Sequence, residues 1–146
     1  MLSERIRNVM ERKKLLIAPS DTSVSTAAKL MATSKVSAVM VVDNQRLVGI
    51  FTERDAVFRV IAQDRDAQTT SLAEVMTRAP KTVTPDESFG HTLLMMHENG
   101  FRHMPVIENG QVIGIVSARN ALDPELEEFE YEAQRRKHVR RQPGGA

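Results

Sequence analysis

The chain contains no cysteine. Disulfides, thiolate nucleophiles and cysteine-held metal sites are excluded together, and a reducing compartment is permitted. Tryptophan is absent and aromatic residues make up 4%, which argues against the stacking platforms that grip single-stranded nucleic acid. No apolar run approaches the ~18 residues of a spanning helix, and the N-terminus Met1-Leu2-Ser3-Glu4-Arg5-Ile6-Arg7 lacks the apolar stretch of a signal peptide. The expectation is a cytoplasmic protein with no membrane segment. Twenty Lys and Arg against nineteen Asp and Glu leave a formal charge of +1, so charge-driven binding has to be local. What is present is ordinary for a globular chain: 146 residues, 41% hydrophobic and 27% charged. That length suits one compact domain, or two small modules sharing a core.

The sequence contains itself twice. Val41-Val42-Asp43-Asn44-Gln45-Arg46-Leu47-Val48-Gly49-Ile50-Phe51-Thr52-Glu53-Arg54-Asp55-Ala56 aligns with Val106 to Ala121 at an offset of 65 residues. The offset holds upstream, pairing Met31 with Met96 and Val24 with Phe89, then slips by one where Val9-Met10 meets Val75-Met76. Each copy predicts a helix, two strands and a second helix. Val24, Ala27, Ala28 and Met31 recur at helical spacing within Ser23 to Ser34, behind Pro19-Ser20-Asp21-Thr22, and Ser88 to Glu98 repeats this after Thr84-Pro85-Asp86. Ala38 to Val42 and Leu47 to Phe51 form a predicted hairpin around Asp43-Asn44-Gln45-Arg46, with Asn109-Gly110 as the stronger turn of the second copy. Consecutive apolar residues in these strands predict sheets covered on both faces. The second helices start at Thr52 and Ser117. The domain plan is a first repeat over 1–62 with its lead-in helix, a polar and mobile linker over 63–70, a second repeat over 71–122, and a charged helix with a flexible tail over 123–146.

The sharpest local signal is Gly49-Ile50-Phe51-Thr52-Glu53-Arg54-Asp55 with its partner Gly114-Ile115-Val116-Ser117-Ala118-Arg119-Asn120. Each puts a hydroxyl residue at a strand-to-helix junction, an Arg two residues on and an acid or amide three residues on. Free N–H groups at such a junction suit an anion, and the Asp55 carboxylate suits a ribose diol, so the pattern describes a nucleotide site. Thr52-x-x-Asp55 is equally a variant of the capping box, in which hydroxyl and acid satisfy the helix's own amides. Gly49 and Gly114 equally serve close packing alone.

These residues resemble a known family, the tandem cystathionine-β-synthase (CBS) domain pair. The resemblance rests on Val36-Ser37-Ala38-Val39-Met40-Val41-Val42-Asp43, on Leu47 to Asp55, on Phe101-Arg102-His103-Met104-Pro105-Val106 and on Gly114 to Asn120. It extends from about Val9 to Leu122, is greatest with stand-alone bacterial pairs, and leaves no catalytic domain over. It implies an α/β (α+β) fold of two pseudo-twofold-related repeats and a noncatalytic module that binds AMP, ADP, ATP or NAD in two clefts built from both copies. The preferred cleft would combine Thr52, Arg54 and Asp55 with Thr77, Lys81, Arg102, His103 and Pro105. Asp55 would hold the ribose, Thr52 the phosphate or ribose, and the strand around Arg102 the adenine. The second cleft would combine Ser117, Arg119 and Asn120 with Val36, Ser37 and Ala38. Two positions depart from the family pattern: Asn120 replaces the acid, and Met40 stands where the second copy has Pro105. A homodimer is implied, with Met31 to Ser34 and Met96 to Gly100 as exposed apolar faces, and a regulated enzyme or transporter as reader.

Other readings are weaker in the sequence. His97-Glu98 opens a metalloprotease-like pattern, but Phe101 stands where the second His is needed, and His91 and His97 do not share a helix face. No metal site is expected. His103 suits either a phosphate contact or an ordinary strand position. No nucleophile–base–acid set can be composed, so no catalysis is expected. The basic clusters Arg12-Lys13-Lys14 and Arg135 to Arg141 provide an alternative reading as a weak nucleic-acid contact. A structural dimerisation module with empty clefts is the other alternative.

Overall fold

The computed structural model describes residues 2–119 and 132–137. In chain order the elements are α1 (Ile6–Val9), β1 (Ile17–Ala18), α2 (Val24–Ser34), β2 (Ala38–Asp43), β3 (Arg46–Thr52), α3 (Glu53–Asp55), a π-helical segment Ala56–Ile61, α4 (Leu72–Val75), β4 (Thr77–Arg78), α5 (Phe89–Asn99), β5 (His103–Glu108) and β6 (Gln111–Ser117). Residues 132–137 form a helical turn in which Arg135 lies 3.6 Å from Glu132. The rest of the charged helix predicted over 123–146, and most of the helix predicted from Ser117, lie outside the described residues.

The hairpins form as expected. Asn44 and Gln45 turn the first with φ of 50° and 67°, and Asn109 and Gly110 turn the second with 53° and 78°, the paired positive values that match strand twist. Both hairpins shift register at the same place, between Val41 and Val42 and between Val106 and Ile107. Helices α2 and α5 are capped by Ser23 and Ser88, whose side chains accept from the Thr26 and His91 amides. Ser20, part of the predicted start signal, instead holds the Asp43 carboxylate through its amide at 2.9 Å and its hydroxyl at 2.5 Å. These hydrogen bonds lower the Asp43 pKa.

The lead-in segments cross between the repeats. Leu72, Val75 and Met76 of α4 fill the first core beside Val39, Val41 and Phe51. Ile6, with Val9 and Met10, fills the second beside Val106 and Val116. Strand β4 extends the first sheet by pairing with Gly49 and Ile50, giving the order β1-β2-β3-β4, and Glu11 makes the equivalent bridge to Ile115. The motif glycines permit this closure. A Cβ on Gly49 would overlap the Met76 sulfur and lie 3.0 Å from the Thr77 carbonyl, and one on Gly114 would lie 2.7 Å from the Met10 sulfur.

Met40 and Pro105 explain a difference between the sheets. The Met40 amide donates to Leu16 at 2.9 Å, and β1 runs parallel to β2 over two residues. Proline has no N–H to offer, and among the described residues the second repeat has a bridge between Val83 and Val106 in place of that strand pair.

The 63–70 segment meets the start of α2, where the Ala67 and Thr70 carbonyls accept from the Ser25 and Val24 amides, supplying partners to exposed helix-end donors. One expectation needs correction. Met31 and Met96 are core residues, 7% and 2% exposed, because their helical spacing aims them at the sheets. The exposed large apolar side chains of these helices are Leu30 and Leu94.

Candidate ligand clefts

Strand β3 ends at Thr52, and the chain turns into α3 through a reciprocal cap. The Asp55 amide donates to Thr52 Oγ1 at 3.4 Å, while the Thr52 amide and hydroxyl donate to Asp55 Oδ2 at 2.9 and 3.2 Å. The capping alternative is therefore realised. It leaves Asp55 Oδ1 facing the Arg59 Nε at 3.5 Å, with acceptor capacity remaining, since a carboxylate has about four lone-pair sites. Asp55 is 8% exposed and that exposure opens into a cavity. Arg59 is itself anchored, its Nη1 donating to the Val75 and Met76 carbonyls at 3.2 and 3.0 Å. It thereby ties the helical segment to the exchanged lead-in.

After Asp55 the helix widens. The Ala62 amide donates to Val57 and the Arg65 amide to Val60, a five-residue spacing in place of four. Val60 stays in the core while Val57, Phe58 and Ile61 remain exposed. Arg54 lies over the Phe58 ring at 5.4 Å, within cation–π range, so its guanidinium is held at the cavity rim.

The cavity lies between the repeats and measures about 940 Å³. Thr52, Arg54 and Asp55 line it from one side, with Thr77, Lys81, Arg102 and His103 opposite. Of the eight residues predicted for this cleft, Pro105 does not line it; it is buried in β5, opposite Ile115. On one wall Ala79 takes a φ of 44° directly before Pro80, a conformation unusual for a residue with a side chain. A second cavity of about 1020 Å³ is lined by Val36, Ser37, Ser117 and Arg119. Ala38 is buried in β2 and does not line it, and Asn120 lies outside the described residues.

The two cavities share a wall made of Glu53, Arg102 and His103. There His103 Nε2 meets Ser37 Oγ at 2.9 Å, linking the second repeat to the first. Burial lowers the His103 pKa, opposed by the Glu53 carboxylate and reinforced by the Arg102 charge. These walls also include Lys35, Phe58 and Glu53. Lys35 and Phe58 carry no motif signal, and Glu53 sat inside the motif without a role. Its signal was the asymmetry with Ala118 in the aligned repeat. Among the described residues no group of His, Asp and Glu is placed to hold a metal ion, and no helix is long and apolar enough to cross a membrane.

Two α/β repeats that exchange lead-ins and enclose paired cavities define a tandem-repeat module. The sequence profile of the CBS domain matches residues 6–62 and 72–124. The chain belongs to the CBS domain family, as a pair of such domains. It is 33% identical over 137 residues to the CBS domain-containing protein CBSCBSPB1 of Arabidopsis thaliana, covering 93% of this chain and a quarter (25%) of that relative. An uncharacterized conserved protein from Pyrococcus horikoshii superposes with a TM-score of 0.77 at 30% identity, covering 84% of this chain and 92% of that one. The CBS domain pair of protein MJ0100, in complex with 5-methylthioadenosine and S-adenosyl-L-methionine, superposes with a TM-score of 0.74 at 25% identity, over 87% and 98%. CBS pairs are regulatory modules.

Proposed function

We propose that this chain is a noncatalytic regulatory module that binds an adenine nucleotide, AMP, ADP, ATP or NAD, between its two repeats. The observation that carries the reading is the 940 Å³ cavity in which Thr52, Arg54 and Asp55 of one repeat confront Lys81, Arg102 and His103 of the other. Its size suits a nucleotide. Asp55 Oδ1 accepts from the ribose hydroxyls, and Lys81 and Arg102 receive phosphate oxygens as charge-assisted donors. The backbone around Arg102 borders the adenine, and Ser117 and Arg119 serve the second cleft. The bound nucleoside ligands of protein MJ0100 support an adenosine-shaped occupant.

Signalling follows from linkage: a ligand held by both repeats favours the arrangement in which both walls are in place, by its differential affinity. The chain works in a reducing cytoplasm as a homodimer, with Val57, Phe58 and Ile61 as exposed apolar surface beside the cleft, and a regulated enzyme or transporter reads the change. Thermal melting of the full chain with AMP, ADP, ATP, NAD and S-adenosylmethionine tests the reading. At ligand concentrations 100-fold above Kd, binding to the folded state adds about 2.7 kcal/mol, a readily measured rise in Tm. No shift with any of them at millimolar concentration leaves the dimerisation module with empty clefts as the better account.

A further inference from the structure

The two repeats are equivalent at the junction where Glu53 sits. The Glu53 amide donates to the Ser37 carbonyl at 3.0 Å, and the Ala118 amide donates to the Arg102 carbonyl at 2.8 Å. Residues 53 and 118 therefore occupy matching places after β3 and β6, and Ser37 matches Arg102. Chemistry breaks the symmetry at both positions: an acid stands where the other repeat has a methyl group, and a hydroxyl where it has a guanidinium. Glu53 lines both cavities on the wall that also carries Arg102 and His103. Its side chain is exposed, and among the described residues it makes no hydrogen bond or ion pair. A cap is not its purpose, since Asp55 fills that role.

An unpaired carboxylate at this place opposes the adjacent cations. A phosphate chain that extends along either cleft toward Arg102 meets the negative charge of Glu53 as well. The opposition grows with each phosphate added, whereas adenosine itself is indifferent to it. We propose that Glu53 is a specificity-determining residue that sets the charge selectivity of both clefts, favouring adenosine derivatives with one phosphate or none over those with an extended polyphosphate. This rests on the nucleotide reading of the cavity and adds the substrate class to it.

The test is calorimetric titration of the full chain and its Glu53→Gln variant with adenosine, AMP and ATP, without divalent cations that would mask the phosphates. The ratio of the ATP Kd to the AMP Kd is expected to fall about tenfold in Glu53→Gln, the effect of one charge interaction of roughly 1.4 kcal/mol. Adenosine affinity stays the same, and Glu53→Asp keeps the original ratio. The His103 imidazole, followed by NMR, titrates at lower pH in Glu53→Gln, which reports that the charge acts at the shared wall of a folded protein. An unchanged ratio in Glu53→Gln overturns this inference while leaving the nucleotide site standing. Failure of every probe to bind either form overturns both.

Discussion

On the nucleotide reading Asp55 does two things with one carboxylate, capping the helix and holding the ribose, and the two can be separated by comparing Asp55→Ala with Thr52→Val. In Asp55→Ala the Thr52 amide and hydroxyl lose their acceptor, Arg59 loses its partner at 3.5 Å, and the ribose loses Oδ1. Removing the acceptor of a buried donor costs about 1–3 kcal/mol. The ion pair adds less, about 0.2–1 kcal/mol, because Arg59 is half exposed. A stability loss of about 2–3 kcal/mol is expected, lowering Tm by roughly 5–10 °C for a chain of this size. Binding of AMP should weaken by a further ~1.5–3 kcal/mol, the range for hydrogen bonds to a charged acceptor. Thr52→Val keeps the Asp55 carboxylate and the amide that anchors it, and costs about 1 kcal/mol of stability. Its AMP affinity should fall far less than that of Asp55→Ala. Urea unfolding supplies the stabilities and calorimetry the affinities, measured where each variant remains folded. If Asp55→Ala binds AMP as tightly as the parent while losing stability, Asp55 is a helix cap and nothing more.

Other consequences follow from the packing. Gly49→Ala places a methyl group against Met76 and the Thr77 carbonyl and should cost about 1–3 kcal/mol by overpacking, measured by urea unfolding; an unchanged midpoint would contradict the close approach of the lead-in. Ile6→Ala empties a fully buried position in the second core at a cost of about 2–5 kcal/mol. Hydrogen exchange should then accelerate at Val106 and Val116 more than at Val39 and Phe51, and the reverse pattern would place Ile6 in the wrong repeat. The depressed pKa of His103 means that the unfolded chain binds its proton more readily. Its contribution to stability is complete above the ordinary histidine value of 6.5 and is lost as pH falls through the lower folded value. A stability profile compared with His103→Gln should show this loss in the parent alone.

The hairpins, the hydroxyl-to-helix junctions after β3 and β6 and the family are readable because the repeat presents each signal twice. The exchange of lead-ins is not. Ile6, Val9 and Met10 carry the same spacing as Leu72, Val75 and Met76, so either segment suits either core by pattern, and the one-residue slip was the only trace. Met31 and Met96 look like candidates for a surface stripe in a helix of modest polarity, yet each packs in the core of its own repeat. The π-helical turn after Asp55 left no mark, since its side chains fit an ordinary helix equally well in sequence. At the cleft, seven of the eight preferred positions line one cavity, whereas Pro105, which shares the motif of Arg102 and His103, sits inside the sheet. Glu53 carries only its contrast with Ala118 as a signal, because its position matters only once both repeats face each other.

The central claim is that the space between the repeats is the ligand site, and an amide chemical-shift map of the full chain titrated with AMP tests it most directly. Saturable changes are expected at Thr52, Asp55, Thr77, Lys81, Arg102 and His103, with little change on the far faces of α2 and α5. Changes gathered elsewhere on the surface, or none at millimolar AMP, would contradict it.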